Sequence, residues 1–506
     1  VWNAAGQFRM GLGFVGVELS LIGSGRRQSL RKDRVSCGGV GGRVKPTLVF
    51  ESQGFQRVFS VFENNSAAGS GRDQKRNPSQ TSTIVMSAAV AVGALVVSAS
   101  AAGLYAYRRI VNALLSSLPE TEGKFIVGAS EFMCEKENLL VRVFYPTDLK
   151  KLPPPDSRSV IFNSAGEKNP SVLAKAYATH FGVPAFLWPL FRLLGFCRIS
   201  AAPNARLSTA TDRFPVMIFS HGLAGVPTLY STFCVDMASH GYFVVGIEHS
   251  DGSSVASIRP DGSILKYRNL KDHVSDESDK LAEYRFRNGQ LQYRVQEMKK
   301  VLDWLDDLNS GVRRERLDLK GRLDLSDITA SGHSFGAATA LEACAVYPNT
   351  FNQCIALDSW MFPVSKESYD ILRNQRVRSL FINNEYFQWR KNLEMIDLLS
   401  HREQVTLLGS THYTQSDVLM FLPERILGIV GLPKLYMDPV TAVRVNNRLA
   451  ISFLDFRLDE FMKSLPAEHA SFVRHDHGNA VESATSADHT LSGHAATTAA
   501  ASPSTS

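Results

Sequence analysis

The run Gly332-His333-Ser334-Phe335-Gly336 sets a serine between two glycines, a spacing that can turn a hydroxyl into a nucleophile. The pentapeptide means little alone; its setting decides. Before it stands the strand-like Asp327–Ser331, and after it the small residues Ala337-Ala338-Thr339-Ala340 suit a closely packed helix. The glycines let the chain bend sharply between the two, lifting the serine above the sheet. A serine hydroxyl attacks poorly unless a base takes its proton. His412 is the histidine placed for that work, because Gly409-Ser410-Thr411 lead to it from the strand Val405–Leu408, and the base follows the serine in chain order. His401 lies at the opposite end of that strand, and His469, His475, His477, His489 and His494 have no scaffold. Two acids could orient the imidazole: Asp358 after Cys354–Leu357, and Glu385 after Ser379–Ile382. Residue pattern leaves these two open, while Asp370 and Asp397 read as surface charges. The oxyanion formed on attack needs fixed N–H donors. These are expected from Phe335, next to the nucleophile, and from Leu223 in the loop Ser220-His221-Gly222-Leu223-Ala224-Gly225. His221 and His333 read as structural.

The elements that must position these groups follow an α/β rhythm. Leu140–Tyr145 alternates and stops at Pro146, whereas Phe214–Phe219 and Tyr242–Ile247 are continuous apolar runs, as in strands buried on both faces. Thr228–Ser239 can form a crossover helix. A longer helix carries Leu291, Val295, Met298, Val301, Leu302 and Leu305 on one face. The expectation is a single α/β-hydrolase catalytic domain over residues 115–465, with a mostly parallel central sheet covered by helices.

Composition fits such a domain: 506 residues, 44% hydrophobic and 21% charged, with a net charge of +6. Basic and acidic residues are interspersed without a basic stripe, so nucleic acid is not an expected partner. The six cysteines show no C-x-x-C pair and no metal-ligand spacing, and several lie in apolar runs. Buried, reduced thiols are expected, with no metal and no cofactor.

The ends read differently. Residues 1–83 are Gly-, Ser-, Asn- and Arg-rich and aperiodic. The sequence opens on Val1, and Met86 is a candidate initiator, so 1–83 is expected to be an unstructured leader or derived from untranslated sequence. Residues 84–107 carry no charge before Arg108-Arg109, long enough for a membrane anchor. That implies a membrane-associated protein; with Met86 as the start, Arg108-Arg109 would hold the catalytic domain on the cytosolic side, whereas with the leader present Arg72, Lys75 and Arg76 leave the topology open. A cleaved signal peptide and a secretory route, or a buried helix, are the competing readings. Residues 466–506, rich in Ala, Ser, Thr and His, read as a disordered tail.

Taken together, Phe219-Ser220-His221-Gly222-Leu223, Leu229-Tyr230-Ser231, Ala238-Ser239-His240-Gly241, Glu248-His249, the Ser334 pentapeptide, Ala356-Leu357-Asp358, Trp360-Met361-Phe362-Pro363, Phe381-Ile382-Asn383, Gly409-Ser410, His412 and Asp417 resemble the platelet-activating-factor acetylhydrolases of the plasma and intracellular type II forms. The resemblance runs over about residues 118–465 and implies a calcium-independent serine phospholipase A2. It would hydrolyse the short or oxidised sn-2 acyl ester of glycerophospholipids at a membrane or lipoprotein-like surface. It further implies Asp358 as the acid, with Leu223 and Phe335 as oxyanion donors. Ala224 and Ala337 depart from the family, which usually has glycine there; the hydrophobic N-terminal segment and the His-containing tail are also outside its pattern. The apolar run 181–194 is a candidate interfacial element, with Phe186, Leu187, Trp188, Leu190 and Phe191 as its contacts and burial against the core as the competing reading. A general carboxylesterase or lipase of the same fold is the alternative function, and a membrane-anchored non-catalytic scaffold a further one.

Overall fold

A computed structural model describes residues 2–3, 7–8, 103, 105, 109, 118–160, 171–180, 188, 197–274, 279, 281–375, 377–421 and 437–475. The chain divides into two compact units, Val1–Leu12 with Tyr107–Ser506, and Gly13–Ala106. In the second unit only Gly103 and Tyr105 are described, both helical. Most of the expected leader, anchor and tail therefore lies outside the described residues. Among the described residues, no helix is long and apolar enough to cross a membrane.

The first unit is built on a ten-stranded sheet. In chain order its strands are β1 (Ile126–Cys134), β2 (Leu139–Thr147), β3 (Ala201–Pro203), β4 (Phe214–Ser220), β5 (Phe243–Glu248), β6 (Leu323–His333), β7 (Gln353–Leu357), β8 (Arg378–Asn384), β9 (Arg402–Leu407) and β10 (Val473–His475). Their spatial order is β10-β9-β8-β7-β6-β4-β5-β2-β1-β3. From β9 to β5 every neighbouring pair is parallel; β10, β2 and β1 join antiparallel. The parallel centre follows from its residues. In β5 and β7 every residue is buried, as helices on both faces require. One core cluster packs α2 (Ala282–Ser310) and α3 (Phe335–Val346) on one face; a second packs α1 (Ser231–Ser239) and α4 (Pro439–Leu454) on the other.

The expected elements recur with shifted ends. The crossover helix begins as a 3-10 turn over Pro227–Tyr230, because proline pre-sets the first turn, before α1 proper. On α2 the expected stripe is buried except for half-buried Leu302, and Gly311 ends the helix in the left-handed conformation, φ 84°. Strand β1 lacks a distinctive apolar period and emerges only through its pairing with β2. Likewise β10 pairs with β9, so the sheet continues past residue 465 into the segment read as tail. Cys134, Cys197, Cys234, Cys344 and Cys354 are free and buried.

Candidate active site

Parallel strands that share a direction bring their carboxyl ends to one rim, and the chemistry-bearing residues follow those ends: Ser334 after β6, Asp358 after β7 and His412 after β9. Ser334 joins β6 to α3 with φ 56° and ψ −116°, outside the conformations a residue with a Cβ prefers. Backbone hydrogen bonds fix it there. Its N–H donates to Leu357 O at 2.9 Å, and its carbonyl accepts from Ala337, Ala338 and Trp360 N–H at 3.1, 3.2 and 3.2 Å. Such over-determination is what allows local strain to persist.

The flanking glycines are demanded by contact. A Cβ on Gly336 would lie 1.9 Å from Ser220 O, and one on Gly332 would lie 2.3 Å from Gly336 O. Both obstacles are backbone atoms that cannot rotate away. Gly336→Ala is therefore expected to destabilise the fold by at least about 3 kcal/mol, read as a lowered denaturant midpoint. An unchanged midpoint would show that the elbow can open without cost.

His412 opens a single 3-10 turn, His412–Gln415, held by a capping box between Thr411 and Thr414. Its Nδ1 donates to Asp358 Oδ2 at 2.6 Å, and its ring stacks on Phe387 at 3.5 Å between centroids. With Nδ1 committed, Nε2 is the nitrogen left for proton transfer. Asp358 is fully buried and receives three further bonds: Asn384 N–H at 2.9 Å and Gln388 Nε2 at 2.7 Å on Oδ1, and Asn384 Nδ2 at 3.1 Å on Oδ2. Four donors hold the buried carboxylate fixed in direction. The other candidate acid, Glu385, is exposed and accepts instead from Gly409 N–H at 2.7 Å.

His333 and His221 serve as struts. His333 Nε2 donates to His412 O at 2.9 Å, so its Nδ1 accepts from Tyr230 O–H at 3.0 Å, and the Tyr230 oxygen accepts from Gly222 N–H at 3.1 Å. That relay ties the His412 turn, the elbow and the Gly222 loop together. Burial holds His333 well below the usual imidazole range, which keeps it neutral for this role. His221 Nδ1 donates to Gly222 O at 2.8 Å, and burial likewise depresses its protonation.

Neither the Leu223 nor the Phe335 N–H is spent on a hydrogen bond among the described residues. Ala224, between Leu223 and Gly225, sits at φ 55°, the left-handed region where glycine costs nothing, which gives the family's usual glycine a physical reason. Ala337, by contrast, is an ordinary buried helical residue.

Asp417 anchors the His412 turn from below. Its carboxylate accepts from Ser231 and Thr232 N–H at 2.8 and 3.2 Å, at the N-terminus of α1. Burial raises its pKa to about 6 despite these bonds. A carboxyl whose folded pKa is raised favours folding below its unfolded pKa, and that contribution is lost as pH rises through about 6. Measured by thermal melts, the wild type should therefore lose ground to Asp417→Asn from about pH 4 upward. A difference independent of pH would contradict the assignment.

Several of these partners carried no signal of their own. Phe387, Gln388 and Asn384 have no motif spacing, and they reach the site only because loops and strand ends converge. Among the described residues, His333, Asp358 and His412 bring possible ligand atoms together, and both His333 nitrogens, the Asp358 carboxylate and His412 Nδ1 are already engaged in the hydrogen bonds above. Of the interfacial candidates, Trp188 is helical and half-buried, whereas Phe186, Leu187, Leu190 and Phe191 lie outside the described residues.

The family model for platelet-activating factor acetylhydrolase, isoform II, matches residues 112–468. The chain belongs to this family. Relatives agree with that membership. A platelet-activating factor acetylhydrolase of Bos taurus is 31% identical, over 68% of this chain and 78% of the relative. One from Gallus gallus is 32% identical over 49% of this chain and 63% of its own length. A putative phospholipase A2 of Schizosaccharomyces pombe is 26% identical over 64% of this chain and 86% of its own. Among solved structures, a ferulic acid esterase from Streptomyces cinnamoneus superposes with a TM-score of 0.50 at 17% identity, covering 71% of this chain and 98% of that one. It supports the α/β-hydrolase fold alone.

Proposed function

We propose that this acetylhydrolase-family protein is a calcium-independent phospholipase A2 that hydrolyses short or oxidised sn-2 acyl esters of glycerophospholipids. The observation that carries the reading is the 2.6 Å bond from His412 Nδ1 to fully buried Asp358 at the rim that also carries the Ser334 elbow. In the reaction Ser334 Oγ attacks the ester carbonyl and passes its proton to His412 Nε2, while Asp358 stabilises the imidazolium. Leu223 and Phe335 N–H donate to the oxyanion. The lysophospholipid alkoxide leaves with the proton from His412. Water then attacks the acyl-enzyme, His412 takes its proton, and the acyl group departs as a carboxylic acid, restoring Ser334.

The aromatic group Phe335, Trp360 and Phe362, with centroids 5.8 and 5.6 Å apart, supports an apolar substrate beside the elbow. Substrate would be drawn from a lipid surface, and the uncharged stretch 84–107 supports a membrane-anchored protein. Resistance of the full chain to carbonate extraction checks the anchor; release would remove it.

The activity is tested with phosphatidylcholines bearing sn-2 acetyl, oxidised and long acyl chains, and with p-nitrophenyl acetate, each with calcium or a chelator. Preference for the first two phospholipids, unaffected by chelation, is expected. Hydrolysis of the simple ester alone would make the protein a general carboxylesterase.

A further inference from the structure

The face of α2 turned toward the site carries polar residues that packing alone does not call for. Arg287, Gln290, Arg294 and Glu297 recur at helical spacing and are all buried. Arg294 occupies the decisive place. Its Nη1 donates to His221 O at 2.7 Å, on the loop that carries Leu223. Its Nε and Nη2 donate to Ser253 Oγ at 2.9 and 2.5 Å, and Nε reaches Asp251 Oδ2 at 3.3 Å. Ser253 O in turn accepts from Ala224 N–H at 2.7 Å, which clamps the Leu223 loop from its other side. The guanidinium carbon also stands 4.5 Å from the centroid of the Phe335 ring, within cation–π range. Below it, Glu297 accepts from His249 Nδ1 at 2.7 Å and from Ser250 N–H at 3.0 Å, fixing the start of the same Ser250–Ser253 turn. One planar cation therefore touches both chain segments that supply the unspent amides. Burying a guanidinium costs desolvation, and an apolar residue would fill a core more cheaply.

We propose that Arg294 is the positioning residue of the oxyanion pocket, setting the Leu223 and Phe335 N–H groups at the spacing a tetrahedral intermediate requires. It rests on the reading of those two amides as oxyanion donors. Arg294 touches no substrate; it acts through the His221 carbonyl, the Ser253 hydroxyl and the Phe335 ring.

The test compares Arg294→Met, Arg294→Lys and Phe335→Leu in the full chain, the last keeping the Phe335 amide while removing its ring. Arg294→Met is expected to lower kcat by about 100-fold with KM nearly unchanged, the scale of losing one oxyanion donor. Affinity for a trifluoromethyl ketone lipid, whose serine adduct is itself an oxyanion, should fall in parallel. Affinity for a non-hydrolysable sn-2 ether analogue should stay the same. Arg294→Lys, which can still reach a carbonyl but cannot stack, should recover part of kcat, and Phe335→Leu should lose part of it. If Arg294→Met does not fold, the other two variants decide by the same readouts. Folded variants with wild-type kcat, or losses shared equally by the ketone and the ether, would overturn the proposal while leaving the triad intact. A wild type that neither hydrolyses ester nor takes a fluorophosphonate label at Ser334 would remove the triad as well.

Discussion

Replacing Ser334 with alanine is expected to lower sn-2 ester hydrolysis by about a millionfold, since removal of the nucleophile leaves only binding and oxyanion stabilisation. The fold should survive. Alanine and serine both carry a Cβ, so the φ of 56° is no more strained in the variant. The bonds to Leu357, Ala337, Ala338 and Trp360 all use the Ser334 backbone. A melting temperature close to wild type, together with loss of fluorophosphonate labelling, would separate loss of chemistry from loss of structure. Substantial hydrolysis by a folded Ser334→Ala protein would end the serine mechanism.

Asp358→Asn should be nearly as damaging, about 10⁴-fold in kcat, although it changes a single atom type. The reason lies in the four donors around the carboxylate. An asparagine must turn its oxygen toward Asn384 N–H and Gln388 Nε2, which face Oδ1. Its NH2 then faces His412 Nδ1, which has to accept instead of donate. The imidazole proton is driven to Nε2, the wrong nitrogen for a base that must accept from Ser334. The reverse orientation would set the amide NH2 against two donors. Glu385 offers no replacement, because it is exposed and bonded to Gly409 N–H. The measurement is kcat against pH for both proteins. A variant within tenfold of wild type would mean that Asp358 does not orient the base.

These two residues also show what sequence could and could not tell. The Ser334 elbow was legible because it is a local device: two glycines, a strand before and a helix after, all contiguous along the chain. His412 was legible through order along the chain and a strand ending beside it. Asp358 and Glu385 were equivalent by pattern, since each follows a parallel strand; family resemblance favoured one, and geometry shows which carboxylate meets Nδ1. The mostly parallel sheet came from continuous apolar runs. Its antiparallel margins did not, because β1 and the three-residue β10 are defined by their neighbours more than by their own residues.

By itself the sequence determined what depends on neighbours along the chain: the elbow, the apolar strands, the apolar face of α2, and the membership that so many ordered motifs imply. Only tertiary structure decided what depends on convergence from distant segments. The stacking of Phe387 on His412, the His333–Tyr230–Gly222 relay, the clamp of Asp417 on α1 and the guanidinium of Arg294 beneath the Leu223 loop are of this kind. A hydrogen bond is set by separation in space, and folding sets that separation independently of distance along the chain.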